Sequence, residues 1–151
     1  MKGETHMNAI SKIKSKVMTM ANRFVRQGYS RSNAMKKAWG VAKNPDISTK
    51  VKGVTMDRRQ AAIAHLTRYA AADISITLER ESDNAADINA VAVIATVQGK
   101  GSYKMGYVPK YLAMIIAPLM DAHKAVTAAF REVRGGESAK PNYGLAIGIR
   151  I

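Results

Sequence analysis

The polar run Leu78 to Val93, LERESDNAADINAVAV, holds the side chains of this chain best suited to chemistry. Asp83, Asn84, Asp87 and Asn89 are short acids and amides of the kind that bond nearby backbone N–H groups and so build a turn. The same carboxylates can accept a ligand hydroxyl, and the two readings stand side by side. Arg80 and Glu81, adjacent at the start of the run, read as a paired brace. Further on, Met105-Gly106-Tyr107-Val108-Pro109-Lys110 sets a phenol and an amine around a tight turn. Such a ring can stack on a base or donate a hydrogen bond, and such an amine can meet a phosphate or stay solvated. Gly106 permits close backbone approach and Pro109 stiffens the turn. Asp83 and Asp87, beside Arg80 and without further clustered acids, make a poor oxygen cage for a divalent cation. The sequence contains no G-x-S-x-G elbow, H-E-x-x-H, P-loop or G-x-G-x-x-G. No catalysis, metal or cofactor is expected.

These groups need a frame. Ile74 to Leu78 and Ala90 to Val97 predict strands on either side of the polar loop. Val51-Lys52-Gly53-Val54-Thr55 predicts a first strand, and Arg58 to Ala72, alanine-rich with Ile63, Leu66 and Tyr69 at helical spacing, predicts a helix. Leu112 to Met120 predicts an apolar helix after the Pro-Lys turn. Ala125 to Val133 and Leu145 to Ile151 supply two last strands joined at Gly135-Gly136, although the alanines of the former equally suit a helix.

The first third of the chain is of another kind. Ile10, Ile13, Val17, Met20, Ala21, Phe24 and Val25 recur at three- and four-residue intervals and predict one apolar face of a helix from Asn8 to Gln27. Gly28 suits its end and Ser30 the cap of a second helix, Arg31 to Lys43, whose Ala34, Met35, Ala38, Trp39 and Ala42 close the seam. Asn44-Pro45 ends this hairpin, and Asp46 to Lys50 reads as a linker. Trp39 is expected in the core rather than as a stacking platform. Lys12, Lys14, Lys16, Arg23, Arg26, Arg31, Lys36 and Lys37 form either a phosphate-contacting arm or a solvated face. A membrane-surface helix is a weaker third reading, since the apolar positions have a folded domain beside them.

Charge and composition narrow the partners. The net charge is +13 with pI about 10.2, which attracts nucleic acid, anionic lipid or an acidic protein. Residues 1–50 carry 11 Lys or Arg against 2 acids, hence +9, and residues 51–151 carry 13 against 9, hence +4. The chain has no cysteine and three widely separated histidines, His6, His65 and His123, so thiolate sites and a histidine metal centre are not expected. No apolar run approaches the ~20 residues of a membrane span. A soluble protein of the bacterial cytoplasm or nucleoid is expected.

With Arg80, Glu81, Asn84, Asp87, Asn89, Ala90, Val93, Gly106, Pro109 and Lys110 in register, the segment from Val51 to Ile151 resembles the HIRAN domain family. That resemblance implies a small OB/SH3-like β-barrel, giving an α+β chain: a helical hairpin over 1–44, a linker over 45–50 and a barrel domain with one or two short helices over 51–151. It also implies a DNA-binding role, with a pocket for the 3′ end of a single strand. By position, Asp87 matches the acid that accepts the terminal hydroxyl and Lys110 the lysine that pairs with phosphate. Tyr107 stands where an imidazole can sit. The family's basic-aromatic pair is replaced by Thr55-Met56, and the ring before the loop aspartate by Ala86. At ~1–3 kcal/mol per stacked base, two missing platforms argue against a tight end pocket. Lys52, Arg58 and Arg59 add cations nearby. The hairpin stretch Gly28 to Trp39, GYSRSNAMKKAW, resembles segments of small phage and bacterial accessory proteins. Two functions therefore stand: a nucleic-acid-binding module for single-stranded DNA or DNA ends, or a phage-encoded inhibitor or adaptor, of anti-CRISPR type, acting on a host nucleic-acid-processing complex.

Overall fold

The computed structural model describes residues 2–43 and 46–151, with side chains from residue 11 onward. The chain divides into two compact units, Met1–Pro45 and Asp46–Ile151. Ile10, His6 and the Asn44-Pro45 stop expected from the sequence lie outside the described side chains or residues.

The first unit is the expected pair of helices, α1 (Lys2–Arg26) and α2 (Arg31–Lys43). Helix α1 begins upstream of the predicted Asn8. Gly28, at φ +99°, lets the chain leave α1 in a left-handed step, and Ser30 Oγ accepts the Asn33 N–H at 3.3 Å to cap α2. Val17, Met20, Ala21 and Phe24 are buried, as are Ala34 and Ala38 of α2. Ile13 and Val25, predicted to share that face, are 41 % and 38 % exposed. Helix α2 has 13 residues, enough to line an antiparallel neighbour back only to about Lys14, so Ile13 lies beyond it. Val25 falls at the margin of the apolar arc. Trp39 is half-buried rather than core, with Lys43 Nζ 5.2 Å from its ring centroid.

The second unit contains β1 (Asp46–Lys50), α3 (Arg59–Leu66), β2 (Ile74–Arg80), β3 (Val91–Val97), β4 (Gly101–Tyr107), α4 (Lys110–Asp121), β5 (Thr127–Arg134) and β6 (Gly144–Arg150). The strands form one antiparallel sheet in the order β1-β6-β5-β2-β3-β4. It consists of two three-stranded halves, β1-β6-β5 and β2-β3-β4, which meet through the single registered pair Ile76–Ala128. Strand β3, VAVIATV, is β-branched and almost continuously buried, as a strand covered on both faces must be. Leu112, Ala113, Ile116 and Ala117 of α4 are buried with it, alongside Leu145, Ile147 and Ile149 of β6.

The sheet is not closed, which corrects the barrel expectation. Its edges touch at one bridge, where the N–H groups of Lys52 and Tyr107 each donate to the other residue's carbonyl at 2.8 Å. The linker expected over Asp46 to Lys50 is strand β1, paired from Asp46–Arg150 to Lys50–Ala146. Its Ile47 and Thr49 turn inward and its charged and hydroxyl neighbours outward, a period-two pattern that gives β6 a partner for its open side. The strand predicted over Val51 to Thr55 correspondingly stops at Lys52, because Gly53, at φ +73°, turns the chain. The predicted helix from Arg58 shortens to α3 and a 3-10 turn, Ala71–Asp73. Strand β4 occupies a stretch read from the sequence mainly as a turn. Strand β5 settles the Ala125 to Val133 ambiguity in favour of a strand, because pairing along β6 outweighs the helical preference of its alanines.

Candidate nucleic-acid interface

The polar loop after β2 is built by its own side chains. Asn84 Oδ1 accepts the amides of Ala86 at 2.9 Å and Asp87 at 3.1 Å, and Asp87 Oδ1 accepts the amide of Asn89 at 2.9 Å. Asp87 thus has the amide-capping role read from its side-chain type. Arg80 and Glu81 do not pair with each other, because neighbours on an extended chain point to opposite faces. Arg80 forks onto Asp121 at the end of α4, at 3.2 and 3.4 Å, and donates to Ala90 O at 3.2 Å. Glu81 turns toward β4.

There Glu81, Lys104 and Tyr107 form a closed polar cluster. Lys104 Nζ lies 2.6 Å from Glu81 Oε2, Tyr107 donates its hydroxyl proton to Glu81 Oε1 at 3.0 Å, and Lys104 Nζ is 3.2 Å from that hydroxyl. Asn84 Nδ2 adds a donor to Glu81 Oε1 at 3.2 Å. The Lys104 ammonium, helped by the Asn84 and Tyr107 donors, holds the Glu81 carboxyl below its ordinary pKa. Glu81 in turn raises that of Lys104, with the Tyr107 hydroxyl adding to it. The Tyr107 ring is also occupied, with the Arg59 guanidinium 5.5 Å and Lys104 Nζ 5.1 Å from its centroid.

Arg59 is the one buried charged residue among those described, 7 % exposed. It donates to Gly53 O at 2.8 Å and sits 3.7 Å from Asp57, so it pins the turn after β1 instead of extending into solvent. Gly106 makes the Lys52–Tyr107 bridge possible. A Cβ there would stand 2.2 Å from Lys52 O, and the φ of +155° is open mainly to glycine.

The structure therefore brings Lys52, Arg59 and Tyr107 together, with Lys52, Arg58 and Lys110 exposed. Lys110 opens α4 directly after Pro109. Thr55 and Met56, which replace the expected basic-aromatic pair, are exposed, Met56 at 60 %. In the hairpin, Lys12, Lys14, Lys16, Arg23, Arg26, Arg31 and Lys36 are exposed, and Lys37 is half-buried with Nζ 5.4 Å from the Tyr29 ring centroid. At 3.6 residues per turn Lys12, Lys16, Arg23 and Arg26 share one stripe of about 80°, away from the buried positions, and Lys14 lies outside it.

Sequence reasoning missed other groups. Lys104 follows a glycine turn and carries no motif. Gln60 is another: its side chain clamps Val54 O and Tyr143 O, each at 2.9 Å, and the Tyr143 amide at 2.7 Å. No group of three or more acids or histidines suited to a metal ion exists among the described residues. None of their helices is long and apolar enough to cross a membrane.

The family model of the HIRAN domain matches residues 47–147, and HIRAN domains are nucleic-acid-binding domains. No curated protein matches the chain. A crystal structure of a protein from Lactobacillus plantarum is similar at 25 % identity and a TM-score of 0.45, covering 70 % of this chain and 99 % of that one.

Proposed function

Because the chain belongs to the HIRAN domain family, we propose that it is a non-enzymatic nucleic-acid-binding module whose ligand is single-stranded DNA or a DNA end. The observation that carries this reading is the match of the family model across residues 47–147, the whole sheet unit but its margins. The net charge of +13 supports it, since a polyanion releases counterions when such a surface neutralises its phosphates. Lys52, Arg58 and Lys110 meet phosphates from exposed positions. Asp87, with one carboxylate oxygen spent on the Asn89 amide, keeps Oδ2 to accept a terminal hydroxyl. Tyr107 and Arg59 hold the floor beneath them rather than stack bases. The hairpin stripe of Lys12, Lys16, Arg23 and Arg26 adds sequence-tolerant phosphate contacts.

Fluorescence anisotropy with a 5′-labelled oligothymidylate, titrated at several salt concentrations, tests the reading. Four to six neutralised phosphates correspond to a log–log slope of about −3 to −4 for a single strand. A slope shallower than about −1.4, two phosphates, contradicts it. Blocking the 3′ hydroxyl separates end recognition from binding along the strand.

A further inference from the structure

The half of the sheet farther from the family motif carries a basic depression. Strands β1, β6 and β5 present outward Ser48 and Lys50, then Ala146 and Gly148, then Ala129, Glu132 and Arg134, matched by the register Ser48–Gly148–Ala129 and Lys50–Ala146–Glu132. Small residues at the centre leave the face hollow. The result is a cavity of about 500 Å³ lined by Ser48, Thr49, Lys50, Tyr111, Arg131 and Arg134. A second, of about 200 Å³, shares Lys50 and Arg134 and continues past Lys140 and Asn142.

Arg131 is the residue that makes this hollow a candidate site. The register of β5 against β6 slips between Phe130 and Glu132, so Arg131 is the extra residue of a β-bulge, a device that re-aims a side chain. Its guanidinium lies across Gly148, where an added Cβ would come within 2.6 Å of Nε. The glycine thus gives the arginine its bed. Two carboxylates, Asp46 and Glu132, lie near these cations, and the Arg131 charge acts on Asp46 without a direct ion pair. Arg150 takes Asp46 at 3.0 and 3.2 Å, and Arg134 Nε takes Glu132. Among the described residues, Lys50, Arg131 and Lys140 have no carboxylate partner within ion-pair distance.

We infer that this groove is a second binding surface, one that takes the phosphodiester backbone of a single nucleic-acid strand through Lys50, Arg131, Arg134 and Lys140, with the Ser48 and Thr49 hydroxyls beside them. The inference rests on the nucleic-acid reading above and uses none of the residues the family resemblance points to. The occupant follows from charge and size. Arginine's planar fork matches phosphate oxygens in pairs, and a hollow of this volume has the dimensions of a small-ligand pocket, room for one sugar-phosphate chain rather than two paired ones. Tyr111, next in sequence to Lys110, adjoins the groove to the first turn of α4.

The test is anisotropy with the same oligothymidylate for the full chain and four variants. Arg131→Gln/Arg134→Gln is expected to weaken binding at least tenfold and to reduce the slope by about 1.4, two phosphates at 0.7 each. Gly148→Ala keeps every charge but lifts the Arg131 guanidinium, and is expected to weaken binding about threefold, a change net charge alone would not produce. Should the arginine pair not fold, Lys50→Gln/Lys140→Gln, at exposed positions, reads the same loss of slope. Lys52→Gln/Lys110→Gln reports on the motif half independently. Unchanged affinity and slope in the groove variants, with the Lys52/Lys110 variant weakened, overturn the groove and leave the general function standing. Absence of binding by the wild-type chain overturns both. Tighter binding of a duplex, or of polyglutamate, than of the single strand overturns the occupant named here.

Discussion

In the β2-β3-β4 half, most of the charged or polar groups that the motif brings together have a protein partner, Glu81 with Lys104, Tyr107 and Asn84, Arg80 with Asp121, and Asp87 with the Asn89 amide, while Lys110 stays exposed. In the β1-β6-β5 half, Lys50, Arg131 and Lys140 lie around a hollow of small residues without a carboxylate of their own among the described residues. A group already satisfied inside a fold has little left for a ligand, whereas an unneutralised cation on a concave face can meet phosphate without first giving up a protein partner. Much of the motif in this chain therefore serves to set a loop and to fasten the sheet edges, and the charge left unpaired lies at Lys52, Arg58 and Lys110 and around the hollow.

That contrast breaks most sharply at Gly106. Replacing it by alanine drives a Cβ into the Lys52 carbonyl at 2.2 Å in a backbone region hostile to side chains. A loss of about 3 kcal/mol or more is expected, seen as a large fall in thermal midpoint or as failure to fold. An unchanged midpoint would mean that the Lys52–Tyr107 bridge does not fasten the sheet.

Glu81→Gln sharpens the contrast with a smaller effect. It is expected to cost about 1 kcal/mol at neutral pH, discounted because Lys104 is partly exposed. The folded-state pKa of Glu81 is depressed, so its contribution is complete above the ordinary value of 4.5 and disappears as pH falls through the lower folded value. Lys104 is shifted upward, so its share is complete below 10.5 and disappears as pH rises through the higher folded value. Urea unfolding of wild type and variant across pH should therefore show the difference shrinking at both extremes. Oligonucleotide affinity should stay within about threefold, because the cluster faces its own members. A larger loss would make Glu81 part of the ligand surface.

Legibility followed the same division. Ten motif positions around Asn84 and Gly106 made the family and the loop readable, and the apolar period of Val17, Met20, Ala21 and Phe24 made the hairpin readable. The linker that proved to be β1 was hidden because DISTK is short and polar, and its strand character depends on pairing with β6, more than ninety positions away. The groove was hidden for a related reason. Arg131 and Gly148 become neighbours only through the register of β5 and β6, and a bulge leaves no local sign in AAFREV. The partners of Arg59 and Tyr107 were not legible, because a sequence shows which groups are cationic or aromatic but not which of them meet inside the fold.

The most direct test is the amide chemical-shift map of the full chain titrated with an oligothymidylate. The largest shifts are predicted at Ser48 to Lys50, Arg131 to Arg134 and Lys140, with smaller ones at Lys52 and Lys110. Shifts confined to the hairpin, or centred on Glu81 and Lys104 with the β1-β6-β5 face silent, would contradict the account.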